Sequence, residues 1–419
     1  MPTSEPPQHL SKPEESPNSP APGSVAAQNG HWRASLGSLL FLAGIFFVNF
    51  ISRIIFGPLL VVIERDLHLS HLEAGALFFI VTLGYSLALL GSGYLASRLT
   101  HRRMIFISSL GTGAALGLLA LPLPYLGLQV GLLLLGLAAG LYLPSGMATL
   151  TSIVAPRHWG KALAVHELAP NLGFVAAPFL AEAFLRWSSW RSLLLVFSFV
   201  SLLLGLAYSR SGKGGDFLGR PPTPQVVGGL FRDPSFWIMM VMFGLGIGTS
   251  FGVYAMFPIF LISERGLDRT WANTLIALSR VAGMFMAFAA GWLVDRWGVR
   301  KSLTIFLGAT GLLTVLLGLL PDPWLTVTVF LQPLMAVCLF PAGFTAISRI
   351  GPPELRNMAV AFTVPLGFLI GGGVIPTGIG WAGEQGSFAT GIIGTGLFTL
   401  LCLPLIRKIR LTAIAEQQT

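Results

Sequence analysis

Two arginines stand inside long apolar stretches of the sequence, Arg53 in NFISRIIFGPLL and Arg280 in TLIALSRVAGMF. A charged side chain at bilayer depth costs about 2.5–3.5 kcal/mol on insertion scales, so each arginine indicates a functional site if these stretches cross a membrane. A guanidinium presents a planar fork of donors that matches a carboxylate or a phosphate. The pair therefore predicts an anion site, with Asn49 on the same helical face as Arg53. The alternative for Arg53 is that its side chain snorkels to the nearer interface.

A carboxylate, Glu167, interrupts a third apolar stretch, GKALAVHELAPNLGFVAAP. A carboxyl group in a low-dielectric site takes up a proton more readily than in water, which suits a proton carrier. Asn171 is four residues further on and shares the face of Glu167, whereas the adjacent His166 points elsewhere on the helix. The alternative for Glu167 is a structural partnership with a helix end or with Arg157. For His166 a structural role is favoured over proton coupling.

Charged residues are too few for a water-soluble surface. They make up 10% of the 419 residues, and hydrophobic residues make up 53%, whereas a soluble domain carries about 25% charged residues. The net charge of +9 comes from scattered basic residues, not from the clustered patch that nucleic-acid binding requires. Cys338 and Cys402 lie in apolar runs and give neither a disulfide framework nor metal-ligand spacing. We therefore expect an integral membrane protein, and exclude a soluble enzyme, a nucleic-acid binder and a disordered scaffold.

Apolar runs long enough to cross about 30 Å of hydrocarbon as helices recur along the chain. The expected spans are 35–62, 73–97, 104–121, 126–151, 162–185, 191–208, 235–262, 271–293, 302–320, 324–347, 358–383 and 387–406. Residues 1–33, rich in Pro, Ser and Glu, predict a disordered tail. A polar loop, 209–234, separates a first set of six spans (34–208) from a second (235–408), and 409–419 forms a second tail.

The basic residues predict the orientation of the spans. Of the 26 Lys and Arg, five fall at the ends opposite the N-terminus and two within spans, which leaves 19 on the N-terminal side. Cytoplasmic loops carry the excess of Lys and Arg. Both termini are therefore expected in the cytoplasm, in a multi-pass protein of the plasma membrane and specifically of a bacterial inner membrane. Glu182, near the outer end of the fifth span beside Arg186, is expected to form an interfacial salt bridge.

A loop motif occurs twice, as GYLASRLTHRR (93–103) and GWLVDRWGVRK (291–301), at an offset of 198 residues. Such a repeat at equivalent places indicates a duplicated six-helix unit. With this motif and its spans, the chain resembles the major facilitator superfamily from residue 34 to residue 408. In the first copy Ser97 replaces the Asp of the family motif and Thr100 replaces the Gly. The motif residues that match are Gly93, Arg98, Arg102, Arg103, Gly291, Asp295, Arg296, Gly298, Arg300 and Lys301.

The resemblance implies an all-α membrane fold of twelve helices in two pseudo-symmetric six-helix bundles. Gly93 and Gly291 are expected to let neighbouring helices approach closely. The family implies that the Asp–Arg pair of the motif latches the cytoplasmic ends of the bundles in the outward-open state. Ser97 puts the first half of this latch in doubt. The alternative is that the basic residues of the motif only anchor the topology.

The resemblance also implies which helices line a central cavity, namely the first, fourth, seventh and tenth. Tyr142, Tyr254 and Gln332 fall on the last three of these helices and are further candidates for substrate binding. The alternative for the tyrosines is an anchoring role at the membrane interface.

Short motifs divide between two branches of the family. Asn49 and Arg53, followed by Gly-Pro, resemble the first helix of organic anion and organophosphate transporters, in which an arginine binds the acid group of the substrate. Arg280 is similar to an arginine on the eighth helix of monocarboxylate carriers. Drug:proton antiporters carry G-x-x-x-G-P on the fifth helix, where segment 173–178 has Ala177 in place of the second glycine.

Two mid-membrane cations would repel a lipophilic cation and favour a small anion. The expected function is a secondary active transporter that moves a small organic anion by alternating access in symport with protons, with Arg53 and Arg280 on the anion and Glu167 on the proton. The main alternative is a proton-coupled antiporter that exports drugs or metabolites. A second alternative is a channel or a receptor of the same fold. The expected partners are the substrate, protons and the lipid bilayer. We expect no nucleic acid, cofactor, metal or enzymatic activity, and a functional monomer.

Overall fold

The computed structural model of the protein describes residues 32–219, 224–351 and 353–411. Twelve long helices account for most of this part of the chain. They are α1 (Trp32–Ile54 and Phe56–Leu67), α2 (His71–Ala96), α3 (His101–Leu119), α4 (Tyr125–Gly140 and Tyr142–Ile153), α5 (Trp159–Trp187), α6 (Trp190–Ser211), α7 (Pro234–Glu264), α8 (Arg269–Trp297), α9 (Val299–Leu319), α10 (Trp324–Val337 and Leu339–Ile347), α11 (Pro353–Phe368 continuing to Ile375–Glu384) and α12 (Phe388–Cys402). Within the described residues, ten helices are long and apolar enough to cross a membrane, or eleven if the bent α8 is one span.

Polar residues between the apolar runs fix where the helices begin. Ser70 accepts a hydrogen bond from the backbone amide of Glu73, whose side chain in turn accepts from the amide of Ser70. Asp268 caps α8 through the amide of Trp271. Such caps satisfy donors that the first helical turn would leave unpaired. Helix ends lie within several residues of the predicted spans, and α1 already begins at Trp32.

Two helices, α7 and α11, contain π-helical turns. These are Gly248–Gly252 and Phe260–Glu264 in α7, and Leu369–Val374 in α11. A π turn widens the helix locally and is frequent at functional sites. One of these turns, Gly248–Gly252, contributes directly to the candidate site described below.

Glycines let the helices within each half approach closely. A Cβ atom on Gly136 of α4 would collide with the backbone of α2 at Val81, and a Cβ atom on Gly371 of α11 would collide with the backbone of α7 at Gly244. Without a hydrophobic driving force between helices in lipid, such small-residue contacts supply the van der Waals packing that holds spans together. The first six helices and the last six therefore form two bundles.

The two ends of the bundles differ in charge and in packing. We call the end that holds the 97–100 turn and Gly298 the basic end, and the end that holds residues 68–70 and 265–268 the far end. The backbones of α2 and α11 come close at the far end, where Gly75 and Gly380 face each other.

Further contacts between the halves follow from the far end to the middle of the helices. Thr82 of α2 donates to the Gly372 carbonyl at 3.1 Å, and Ser86 donates to the Pro365 carbonyl at 2.8 Å. Gly57 of α1 lies against the α7 backbone. The halves are thus joined from the middle of the bundle to the far end.

The connection between the halves packs against the basic end. The segment predicted as a polar loop, 209–234, holds the last residues of α6 and a short helix, Pro224–Phe231. The Gly219 amide donates to the Ala96 carbonyl at 2.7 Å, and the Arg102 amide donates to the Gly215 carbonyl at 2.9 Å. Of the predicted tails, all but residues 32–33 and 409–411 lie outside the described residues, as do 220–223.

Candidate functional site

Arg53 lies near the middle of α1, just before the interruption of this helix at Ile55, and its side chain is buried at 3% exposure. Its guanidinium carbon is 3.9 Å from the ring centre of Tyr85 on α2 and 5.4 Å from that of Phe50. Its Nε atom is buried without a hydrogen-bond partner in the described structure. No carboxylate of the described residues forms an ion pair with it. Arg53 is therefore a buried cation held by aromatic faces, which attract a desolvated cation by up to about 2 kcal/mol.

Arg280 of α8 has a similar setting in the other half. Its Nη2 donates to the Ser250 carbonyl at 2.9 Å, within the π turn of α7. The guanidinium carbon lies 4.6 Å from the ring centre of Phe174 and 4.9 Å from that of Tyr254. Its Nε also lacks a partner among the described atoms, and none of the ion pairs found there includes Arg280.

Aromatic side chains connect the two arginines across the boundary between the halves. The Phe50 and Phe174 ring centres are 5.1 Å apart, in an edge-to-face arrangement. The distances are 5.4 Å from Arg53 to Phe50, 5.1 Å from Phe50 to Phe174 and 4.6 Å from Phe174 to Arg280. Their sum limits the separation of the two guanidinium carbons to about 15 Å. We call Phe50, Phe174, Tyr85 and Tyr254 the aromatic wall. Both arginines thus lie on one wall.

Tyr254 and Gln332 share a narrow crevice with Arg280. Its volume of about 10 Å³ is room for about one water molecule. The Tyr254 hydroxyl donates to the Phe174 carbonyl of the other half at 3.3 Å. The Gln332 amide donates to the Thr249 carbonyl at 2.7 Å, which fixes the π turn next to the residue that holds Arg280. Gln332 therefore positions Arg280 indirectly, through the π turn of α7.

Tyr142, His166 and Glu167 come together in the first half. The Tyr142 hydroxyl lies 2.7 Å from the Leu42 carbonyl and 3.1 Å from His166 Nε2. The His166 ring is fully buried and stacks on Phe46 at 4.4 Å between ring centres. Glu167 is 54% exposed, with an oxygen 3.7 Å from His166 Nδ1. The two side chains therefore lie on different faces of α5, as their helical positions predicted, yet the ring nitrogen remains within 3.7 Å of the carboxylate.

The two asparagines face other partners. Asn49 is buried and donates its amide to the Ala139 carbonyl of α4 at 3.1 Å, with a longer contact of 3.4 Å to Ser108 of α3. Its amide therefore holds helices of its own half together. Asn171 donates to the Glu167 carbonyl one turn earlier on α5 at 2.8 Å.

The first copy of the loop motif contacts the connection between the halves. Arg98 lies over Tyr94 at 4.6 Å, and Arg102 lies 3.4 Å from Asp216 and also donates to the Ser209 carbonyl. Ser97 donates to the Tyr94 carbonyl. The Gly93 carbonyl accepts from the Ser97 amide at 3.2 Å. Arg98 and Arg102 also line an open pocket of about 550 Å³.

The second copy of the motif spans the end of α8 and the start of α9, and its charged side chains are exposed. Gly298 has a φ of +80° at the end of α8, a value that suits glycine. Arg296 lies over Trp292, and Arg300 donates to the Ile409 carbonyl, while Lys301 points to solvent. Asp295 forms no ion pair within the described ranges. A Cβ on Gly291 would meet no atom within 4 Å, so the close helix approach expected there is absent from this conformation.

Sequence reasoning predicted a salt bridge for Glu182 but did not identify its partners. This carboxylate of α5 is buried at 6% exposure and accepts from Arg269 Nε at 3.0 Å, from Thr270 at 3.1 Å and from Asn273 at 2.7 Å, all on α8. We call these four residues the far-end clasp. The expected partner Arg186 is exposed and forms no ion pair with Glu182 in the described structure. The salt bridge thus joins the two halves. The spacing of Arg269, Thr270 and Asn273, on one face of α8, was the only signal in the sequence.

Comparison with known proteins identifies the family. A family model described as the Major Facilitator Superfamily matches residues 42–376 and also residues 272–416. The chain belongs to the major facilitator superfamily. It is a multi-pass membrane transporter, and the predicted all-α fold of two six-helix bundles is confirmed.

The curated relatives are distant but extend over most of the chain. A probable 4-methylmuconolactone transporter of Cupriavidus pinatubonensis is 24% identical over 83% of this chain and 85% of its own. A gallate transporter of Pseudomonas putida is 24% identical over 75% of this chain and 80% of its own. A nitrite extrusion protein of Bacillus subtilis is 24% identical over 67% and 69%. The names of these superfamily members refer to transport of small molecules, including anions.

Solved structures share the fold. A bacterial homologue of the human lysosomal transporter Spinster, in an inward-facing and unoccupied conformation, superposes with a TM-score of 0.74. The alignment covers 91% of this chain and 97% of that chain at 16% identity. At this identity the likeness concerns the fold alone.

Proposed function

We propose that the protein moves a small organic anion across the membrane by alternating access, in symport with protons. The observation that carries this proposal is a pair of guanidinium groups inside the bundle, the buried Arg53 and the partly buried Arg280, one in each half, with no ion-pair partner among the described residues. A buried charge without a counter-ion is costly. A bound anion would provide the missing charge and would link the two halves at their interface, where transporters of this architecture bind substrate.

The aromatic wall supports an organic rather than an inorganic anion. Tyr85, Phe50, Phe174 and Tyr254 cover one side of the arginines, and these rings offer apolar surface against which a carbon skeleton can pack. A planar organic acid can place its carboxylate on a guanidinium edge and its carbon skeleton against the rings. The names of the gallate and methylmuconolactone relatives fit this class.

The orientation proposed for the membrane places the basic end and both termini in the cytoplasm, in a bacterial inner membrane. The excess of Lys and Arg at the basic end supports it. The contacts between the halves, from Ser86 to Glu182, lie between the middle of the helices and the far end. In this orientation the conformation is closed to the outside, and transport requires the far-end clasp to open.

The test is uptake into proteoliposomes under an inward proton gradient, with benzoate, acetate, nitrate and the lipophilic cation ethidium as probes. We expect benzoate uptake by the wild type, loss of this uptake in Arg280→Gln and normal uptake in Arg186→Gln. The control removes the same charge from the exposed last turn of α5. Equal benzoate uptake by Arg280→Gln would refute the anion site.

The remaining probes separate the alternatives. Uptake of nitrate without benzoate would refute the organic substrate class. Proton-driven export of ethidium without anion uptake would favour the drug antiporter, the competing interpretation suggested by the fifth-helix segment 173–178.

A further inference from the structure

His166 occupies a buried position whose hydrogen bonds determine where its protons lie. The ring is 0% exposed and stacks on Phe46, with an interplanar angle of 11°. Tyr142 lies nearly parallel to it at 5.9 Å between ring centres. Because both ring faces lie inside the bundle, only the two ring nitrogens can form hydrogen bonds or ion pairs with polar neighbours.

The hydroxyl of Tyr142 fixes the proton on His166 Nε2. This hydroxyl has one hydrogen, and the Leu42 carbonyl at 2.7 Å can only accept it. The oxygen of Tyr142 must therefore be the acceptor in its second contact, at 3.1 Å from His166 Nε2. His166 consequently carries a hydrogen on Nε2, and in the neutral ring Nδ1 bears a lone pair.

That lone pair has no favourable partner in the described structure. Nδ1 is buried without a hydrogen bond, and the nearest carboxylate oxygen, on Glu167, lies 3.7 Å away. A lone pair facing a carboxylate is repelled by it. A proton on Nδ1 converts this repulsion into the attraction of an ion pair.

We infer that His166 Nδ1 is the proton-binding atom of the transporter and that Glu167 delivers the proton to it. This inference rests on the proposed proton-coupled function. Glu167 is 54% exposed, so its carboxylate takes a proton from water and passes it over a short distance to the buried nitrogen. The net charge of the pair changes from −1 to 0, and the imidazolium formed lies flat on Phe46.

Charged and titratable groups on the surrounding helices tie proton binding to anion binding. Around α5 these are Arg53 of α1, Tyr85 of α2, Tyr142 of α4, Tyr208 of α6 and Arg280 of α8. The two arginines oppose a further positive charge, and only Glu167 favours it. An anion bound at the arginines reduces this opposition, so each ligand strengthens binding of the other, as linkage requires. Symport follows from this mutual dependence.

The direct test is nitrogen-15 NMR of histidine-labelled protein, with His166→Gln to assign the signals. We expect Nε2 of His166 to keep its hydrogen at every pH and Nδ1 to gain one as the pH falls. Glu167→Gln should lower the protonated fraction of His166 at a given pH by several-fold, while the exposed His68 at the far end keeps its behaviour. A His166 that binds protons equally well in Glu167→Gln, or whose Nε2 lacks a hydrogen, would overturn the assignment.

Tyr142→Phe tests the hydrogen-bond argument separately. Removal of the hydroxyl should allow the Nδ1–H tautomer of His166 to appear, and an unchanged tautomer would contradict the proposed role of Tyr142. This substitution retains the stacked ring.

Transport separates this inference from the proposed function. We expect His166→Gln to lose accumulation of benzoate driven by the proton gradient and to retain a weakened exchange of labelled benzoate, because the bound anion loses the support of the proton. Gradient-driven accumulation by His166→Gln would overturn the His166 site and leave symport intact. If benzoate uptake by the wild type is the same with and without the proton gradient, proton coupling itself is refuted.

Discussion

The far-end clasp gives a quantitative prediction about opening. Glu182 accepts hydrogen bonds from Arg269 Nε at 3.0 Å and Nη2 at 3.3 Å, and others from Thr270 and Asn273. Glu182→Gln keeps the volume of the side chain and removes its charge. Hydrogen bonds to charged groups contribute about 1.5–3 kcal/mol each. The Arg269 side chain is 36% exposed, so in the variant water replaces part of the hydrogen-bond energy that Arg269 loses. We expect a loss of about 2 kcal/mol, which raises the ratio of open to closed molecules by about 30-fold.

Alkylation of a buried cysteine measures that ratio. Ala277, at 0% exposure, lies one turn from Asn273 on the same face of α8. In a background without Cys338 and Cys402, Ala277→Cys should react with a water-soluble maleimide only when the far end opens. The reaction rate is then proportional to the open fraction, so the effect is measurable even when that fraction is small. Glu182→Gln should raise the rate by about 30-fold.

A matched control removes another far-end ion pair without affecting the contact between the halves. Asp66 of α1 pairs with Arg191 of α6, both in the first half. Asp66→Asn should leave the alkylation rate of Ala277→Cys unchanged. If Glu182→Gln reacts no faster than this control, the clasp does not hold the halves together and the reasoning fails.

Three further predictions concern packing and the site. Gly136→Ala should lower the free energy of unfolding by about 1–3 kcal/mol, because its Cβ would collide with the facing backbone, whereas Gly291→Ala, which meets no atom within 4 Å, should leave it unchanged in thermal melts. Tyr85→Leu removes the ring 3.9 Å from the Arg53 guanidinium and should weaken benzoate binding at least threefold by calorimetry. Tyr85→Phe keeps an aromatic ring at this position and should keep the benzoate affinity. Gln332→Leu removes the side-chain donor to the Thr249 carbonyl and to Thr314 and should cost about 1–3 kcal/mol of stability, with a benzoate affinity reduced through displacement of the π turn. Unchanged melting of the first variant, or unchanged affinity of the other two, would contradict these assignments.

The sequence was sufficient to predict the class of the molecule. A charged content of 10% and apolar runs of about 20 residues require a membrane environment, whatever the tertiary structure. The repeat at 93–103 and 291–301 predicted two equivalent halves. Arg53 and Arg280 were recognisable because an arginine within an apolar run is costly wherever the helix packs.

The sequence could not predict which side chains meet. Glu182 was expected to form an interfacial salt bridge beside Arg186 on its own helix, and it does form a salt bridge, but with Arg269 at a separation of 87 residues. His166 and Glu167 were expected on different faces of α5, and the histidine is indeed buried while the carboxylate is exposed, but the sequence did not predict that His166 Nδ1 lies only 3.7 Å from a Glu167 oxygen. Helical spacing specifies the face of one helix and contains no information about the neighbour.

The physical reason lies in the uniformity of the spans. In a soluble helix, one apolar face shows which side is buried, whereas spans that are apolar on all sides give no such signal. Their contacts depend on glycines such as Gly136 and on buried polar groups, whose effects appear only once the helices are packed. The sequence by itself was thus sufficient to predict the membrane environment, the twelve helices and the importance of Arg53 and Arg280. The tertiary structure decided that an aromatic wall joins these arginines, that Glu182 joins the two halves, and that Tyr142 fixes the protonation of His166.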